Sequence, residues 1–118
     1  MKFEDLEVWK RSARLSADLY KEMQQVKDFG FRDQITRAGL SVPSNIAEGF
    51  ERQSDKEFVN FLSHARGSCG ELRTQVYIGM EIGYRLNMDS RLLKMARPAR
   101  GQELPWTGSK PPRSRSPT

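Results

Sequence analysis

The chain has 118 residues and a formal charge of +5, a length that suits one domain with a single core. Residues 1–96 hold 15 Lys/Arg against 14 Asp/Glu, whereas residues 97–118 hold five Lys/Arg against Glu103 alone. The basicity thus belongs to the tail, and the near-neutral body carries little of the electrostatic signature of a nucleic-acid-binding domain.

The single cysteine, Cys69, excludes an internal disulfide and a multi-cysteine metal site. No apolar run is long enough to span a bilayer, and the opening MKFEDLEVWK has acids where a secretory signal would have its apolar core. A soluble, cytoplasmic protein is the expectation.

In residues 4–26 the positions Leu6, Trp9, Ala13, Ser16, Tyr20 and Met23 alternate spacings of three and four. That rhythm is the seam of a helix packed nearly parallel to its neighbours. Val8, Leu15, Leu19 and Val26 add a second stripe, and Asp28 to Gly30 is expected to close the helix. Residues 31–52 form a second helical pattern with Ile35, Gly39, Val42, Ile46 and Phe50 on one face. Ser54 and Glu57 then make a Ser-x-x-Glu capping box. It starts a third helix, expected from about Asp55 to Leu86, with a seam of Phe58, Phe61, Ala65, Ser68, Leu72, Gln75, Gly79 and Ile82. Strand-like alternation is absent.

Beyond Asn87 the pattern changes. MDSRLLKMAR starts a short fourth helix capped by Asp89 or Ser90, and the Pro- and Arg-rich stretch that follows stops it. Residues 1–96 therefore read as a helical domain and 97–118 as a Pro/Arg/Ser-rich disordered tail.

The stretch SVPSNIAEG, residues 41–49, puts Pro43 inside the second helix. A helix-interior proline loses a hydrogen bond and clashes with the carbonyl of Gly39, costing about 3 kcal/mol or more. Ser41, Ser44 and Asn45 can bond freed backbone groups, which favours one kinked helix over two short helices and a loop. In the third helix, Gly67 and Gly70 each cost about 1 kcal/mol relative to Ala. An antiparallel hairpin turning at Arg52 and Gln53 places Ala38 and Gly39 opposite Gly67 and Ser68, with Arg37 near Glu71. The first turn, at Asp28, sets Trp9 against Gly49. The glycines then read as sockets for close helix approach, and Gln34, Arg37, Asn45, Glu48, Glu71 and Gln75 as a polar network fixing register.

These residues carry a family resemblance over roughly residues 3–90. FEDLEVWKRSARLSADLY, then RDQITRAGLSVPSNIAEGFERQSDKEFVNFLSHARGSCGELRTQ, then GY resemble the S23-type proteins encoded in intervening sequences of bacterial 23S ribosomal RNA genes. The specific motifs are the Ser-x-Pro-Ser-Asn-Ile-Ala-Glu-Gly core (Ser41, Pro43, Asn45, Glu48, Gly49) and Gly-Ser-x-x-Glu-Leu (Gly67, Ser68, Glu71). The resemblance implies an all-α, antiparallel up-down four-helix bundle, with a fourth helix truncated or altered in this chain. It also implies homopentameric rings, and a fold similar to accessory proteins of diversity-generating retroelements, which bind nucleic acid and a reverse transcriptase. A bundle short of its fourth helix leaves an apolar groove between helices one and three.

Catalysis is not expected, because His64 is the only histidine and Cys69 lies more than one turn away with no third partner. No phosphate-cradling glycine loop, cofactor motif or metal-ligand spacing is present. The leading reading is a non-catalytic, homo-oligomeric module that contacts RNA or DNA through Lys10, Arg11, Arg14 and Lys21 on helix one. Glu7, Asp18 and Glu22 interrupt that stripe, so a mixed solvated face is the plainer account of it. The alternative function is a protein-binding assembly or scaffold module that uses apolar surface.

Overall fold

The structure, a computed structural model, describes residues 1–83. The expected fourth helix and the 97–118 tail lie outside the described residues. Three helices follow a 3₁₀ turn at Phe3–Asp5: α1 (Glu7–Met23), α2 (Phe29–Glu51) and α3 (Asp55–Glu81). No strand occurs among the described residues. Short connections make neighbouring helices antiparallel, and α2 is the middle element, packed against both α1 and α3.

Caps explain where the helices begin. Ser54 Oγ accepts the Glu57 amide at 3.1 Å and its hydroxyl donates to the Glu57 carboxylate at 3.3 Å. Asp55 and Glu57 in the first turn of α3 favour the positive end of its dipole. Asp28 does not close α1, which ends earlier, at Met23. Its carboxylate instead accepts the Phe31 amide at 3.1 Å, the N-cap interaction that starts α2 two residues before the expected position. At the other end, α3 stops at Glu81 rather than Leu86, and Gly83 takes a positive φ of 87°, a conformation that glycine adopts without strain.

The core is built along α2. Leu19 and Met23 of α1, Ile35 and Ala38 of α2, and Leu72 and Val76 of α3 form one buried cluster. Val42, Ile46 and Ala65 form a second, flanked by Leu6, Trp9 and Cys69. The face of α1 that enters the core falls between the two stripes of the sequence, so Leu19 is buried while Tyr20 is 60% exposed. Phe50 is half-buried and packs edge-on against Phe58, with ring centroids 5.9 Å apart.

α2 runs unbroken through Pro43, so the single-helix reading holds. The Asn45 amide donates to the Ser41 carbonyl at 2.8 Å and the Ser41 hydroxyl at 2.9 Å. It therefore reinforces the Ser41 turn and not the Gly39 carbonyl that proline leaves without its donor.

The glycine sockets are distributed differently from the expectation. A Cβ on Gly39 would lie 2.8 Å from Leu19 Cδ2, and one on Gly49 would lie 2.6 Å from Phe61 Cβ. Gly39 therefore admits α1, and Gly49 admits α3 and not Trp9. Gly67 is exposed, with nothing within 4 Å of where its Cβ would be among the described residues, so it is not a socket between α2 and α3. Ser68 meets Ser41 through a 2.7 Å hydroxyl–hydroxyl hydrogen bond, three residues further along α2 than the hairpin count gave. Arg37 and Glu71 are both exposed and are not paired with each other, because they point to different sides of the hairpin.

Two glycine substitutions should behave oppositely in denaturant unfolding. Gly49→Ala overpacks against Phe61 and should destabilise by about 1–3 kcal/mol. At concentrations where the chain is dissociated, Gly67→Ala should be neutral or stabilise by up to about 1 kcal/mol, through helix propensity alone.

Candidate functional site

At 100° per residue, Lys10, Arg14 and Lys21 fall within a narrow arc on the outer side of α1, opposite Leu19. All three are exposed, as is Arg11, which lies off the arc. Arg14 Nη1 sits 3.4 Å from Asp18 Oδ1, an exposed pair of small energetic value. Lys10, Arg11 and Lys21 are in no ion pair among the described residues. The structure thus brings three of the four expected cations onto one face, with Glu7 and Asp18 beside them.

Next to this arc runs an open groove of about 640 Å³ between α1 and α2. Trp9, Ala13, Ala17 and Tyr20 line one wall, and Leu40, Pro43, Ser44 and Ala47 line the other. Lys21 borders it, and Asp33, Thr36 and Arg37 extend one end into a smaller polar recess. The expected groove lay between helices one and three, whereas this one lies between one and two. Its principal apolar walls, Tyr20 and Leu40, were not singled out by the sequence as a surface pair. Leu40 falls just off the buried stripe of α2, and small residues at 13, 17, 44 and 47 are the trace it leaves in the sequence.

The remaining motif residues serve the hairpin. Ser41 and Ser68 join α2 to α3, Asn45 supports Ser41 from within α2, and Pro43 is buried beside the groove. Glu48 pairs with Arg52 at 2.8 Å. The Arg52 guanidinium also lies 4.9 Å above the Phe61 ring and 4.0 Å from Glu57. The polar network is therefore split: Arg52 gathers Glu48 and Glu57 at the α2–α3 turn, Asn45 works locally, and Arg37 and Glu71 take no part.

Cys69 is half-buried beside Val42, Ile46 and Ala65. Burial pushes its thiol above the ordinary value of 9.0, and the nearby Arg73 only partly opposes that shift. A thiol held protonated is a poor nucleophile. His64 is exposed and packs edge-on to Phe61.

No helix of the described residues is long and apolar enough to cross a membrane. An antiparallel helical hairpin with a third helix alongside defines an all-helical protein, and it carries an open apolar groove and an outer arc of cations. The family model described as "23S rRNA-intervening sequence protein" matches residues 4–96, and the chain belongs to that family. No curated protein matches it.

The thiol leads to a prediction about reactivity and pH. Cys69 should react with an aromatic disulfide reagent at pH 8 more slowly than a peptide thiol, and denaturant should abolish the difference. Because the folded pKa is raised, the unfolded chain loses its proton first as pH climbs past 9.0, so this contribution to stability falls with rising pH. Cys69→Ala should remove that part of the alkaline loss, as read from urea midpoints at pH 8 and pH 10.

Proposed function

We propose that this chain is a non-catalytic, self-associating helical module that binds the phosphate backbone of RNA or DNA in the cytoplasm. The observation that carries the reading is the outer arc of α1, where Lys10 and Lys21 are exposed without acid partners among the described residues and Arg14 stands between them. A single such arc is weak beside Glu7 and Asp18. Several copies in a homo-oligomer sum their potentials, and phosphate contacts gain from the release of condensed counterions. Family membership supports an RNA-linked setting, and the resemblance drawn from the sequence adds a retroelement setting and a five-membered ring.

A second reading, a scaffold that binds protein through apolar surface, is favoured by the open α1–α2 groove. The two differ in salt dependence, since phosphate binding weakens steeply with salt and apolar association does not.

The test uses the full chain with fluorescent single-stranded RNA and duplex DNA across a salt series. Affinity should fall with log salt at a slope set by the number of phosphates contacted. Lys10→Glu with Lys21→Glu should lower affinity by about tenfold or more and flatten that slope. Unchanged binding in the double variant, or no binding by the native chain at low salt, would remove the α1 arc from the function.

A further inference from the structure

We infer that the α1–α2 groove receives the outer flank of α3 from a second copy of this chain, in a head-to-tail contact that repeats around a ring. This deepens the self-association reading above and rests on it.

The groove supplies the first half of the contact. Tyr20 and Leu40 stand at one end, each 60% exposed, on walls that are mostly apolar. Contiguous apolar surface of this kind marks interaction sites on soluble proteins.

The second half is on α3. Cys69 packs against the buried Val42, Ile46 and Ala65 cluster, which Trp9 of α1 also meets, so Gly67, Glu71 and Ile78 lie on the flank opposite Cys69 at 100° per residue. Ile78 is exposed, and a Cβ on Gly67 or on the adjacent Gly70 would meet nothing within 4 Å. Glycine weakens a helix interior, and no contact among the described residues needs small size at Gly67 or Gly70. A second copy approaching this flank would.

Level and charge then match the two halves. The Ser41–Ser68 bond puts Leu40 and Gly70 within about one helical turn of the same height. Gly39, closed against Leu19 and near Ser16, sets Tyr20 at a similar height on α1. A rotation axis parallel to the helices preserves height between copies, so Tyr20 and Leu40 of one copy face the glycine flank of the next. The same operation brings the cations at that end of the groove, Lys21 and Arg37, to Glu71. Arg37 and Glu71 are both exposed, and neither is in an ion pair among the described residues. A groove on one side and a ridge on another make a heterologous interface, the kind that closes into rings.

The experiment measures mass in solution, by light scattering or sedimentation, over a concentration series of the full native chain and three variants. Arg37→Glu and Glu71→Arg each reverse one side of the contact, and Gly67→Leu fills the open flank. Thermal unfolding of each variant verifies the fold. The native chain should be oligomeric, and each variant should dissociate at concentrations at least tenfold higher than the native chain does. An equimolar mixture of Arg37→Glu and Glu71→Arg should reassemble, because the altered groove of one then meets the altered flank of the other. A pair acting within one chain gives no such rescue. Native oligomers that all three variants retain, or a mixture that stays dissociated, would overturn this interface and leave self-association standing. A native chain that is monomeric throughout would overturn both.

Discussion

The structure depends on how closely α2 can be approached from two sides. Gly39 lets Leu19 of α1 reach the α2 backbone, and Gly49 does the same for Phe58 and Phe61 of α3. With those distances set, Ile35, Ala38, Val42 and Ile46 become the shared inner face on which both neighbours close. The two glycines act ten residues apart, so they fix the inclination of the outer helices as well as their distance. No polar or charged residue is buried as a whole among the described residues, and the one buried side-chain oxygen without a hydrogen bond among them is Gln75 Oε1, so apolar packing governs the spacing. The half-buried Ser41–Ser68 bond sets where along the axis α3 stops sliding, because a slip of one turn would take the Ser68 hydroxyl from its partner and leave Ser41 with the Asn45 amide alone.

Pro43 has to be accommodated inside this helix. Removing the bond to the Gly39 carbonyl and crowding that turn costs about 3 kcal/mol or more, yet α2 continues for eight further residues to Glu51. Two features offset the loss. The ring of Pro43 is buried, with one side on the groove wall, so it contributes apolar contact as well as strain. Asn45 and Ser41 lock the next turn through the side-chain amide. The polar residues around the proline thus hold the helix on its C-terminal side and leave the broken rung itself unrepaired.

The helices were legible because their signals are local. Ser54 with Glu57 marked the start of α3, and the stripe from Ile35 to Ile46 marked the inner face of α2. Asp28 was misplaced because an Asp before Phe-Gly reads equally as a terminator or as an N-cap, and only the amide it meets decides between them. The hairpin count brought the right portions of α2 and α3 together, but its axial register was off by three residues. Azimuth was the harder quantity. Gly67 and Ser68 are adjacent, so one faces away from α2 by about 100° when the other faces it, and sequence spacing alone does not say which. The same ambiguity misassigned Gly67 as a socket, paired Arg37 with Glu71, and hid Tyr20 and Leu40 as a surface. For the α1 cations the sequence was sufficient, because exposed charge needs no partner to be located.

The motif residues consequently divide into two groups with different physical consequences. Ser41, Pro43, Asn45, Gly49 and Ser68 act within the chain, so their effects appear in the stability of a single copy. Gly67, Glu71 and Arg37 contribute nothing to the core, and a mid-helix glycine in open space lowers the stability of an isolated copy relative to alanine. Such a sequence is not optimised for the monomer at those positions. When a second copy covers them, binding to the folded state alone raises apparent stability by mass action. Melting temperature then increases with protein concentration, and the weakness left in α3 becomes a property of the dissociated chain only. In the proposed contact the glycine flank and the groove would be one feature of the fold, each covering surface that the other leaves open among the described residues.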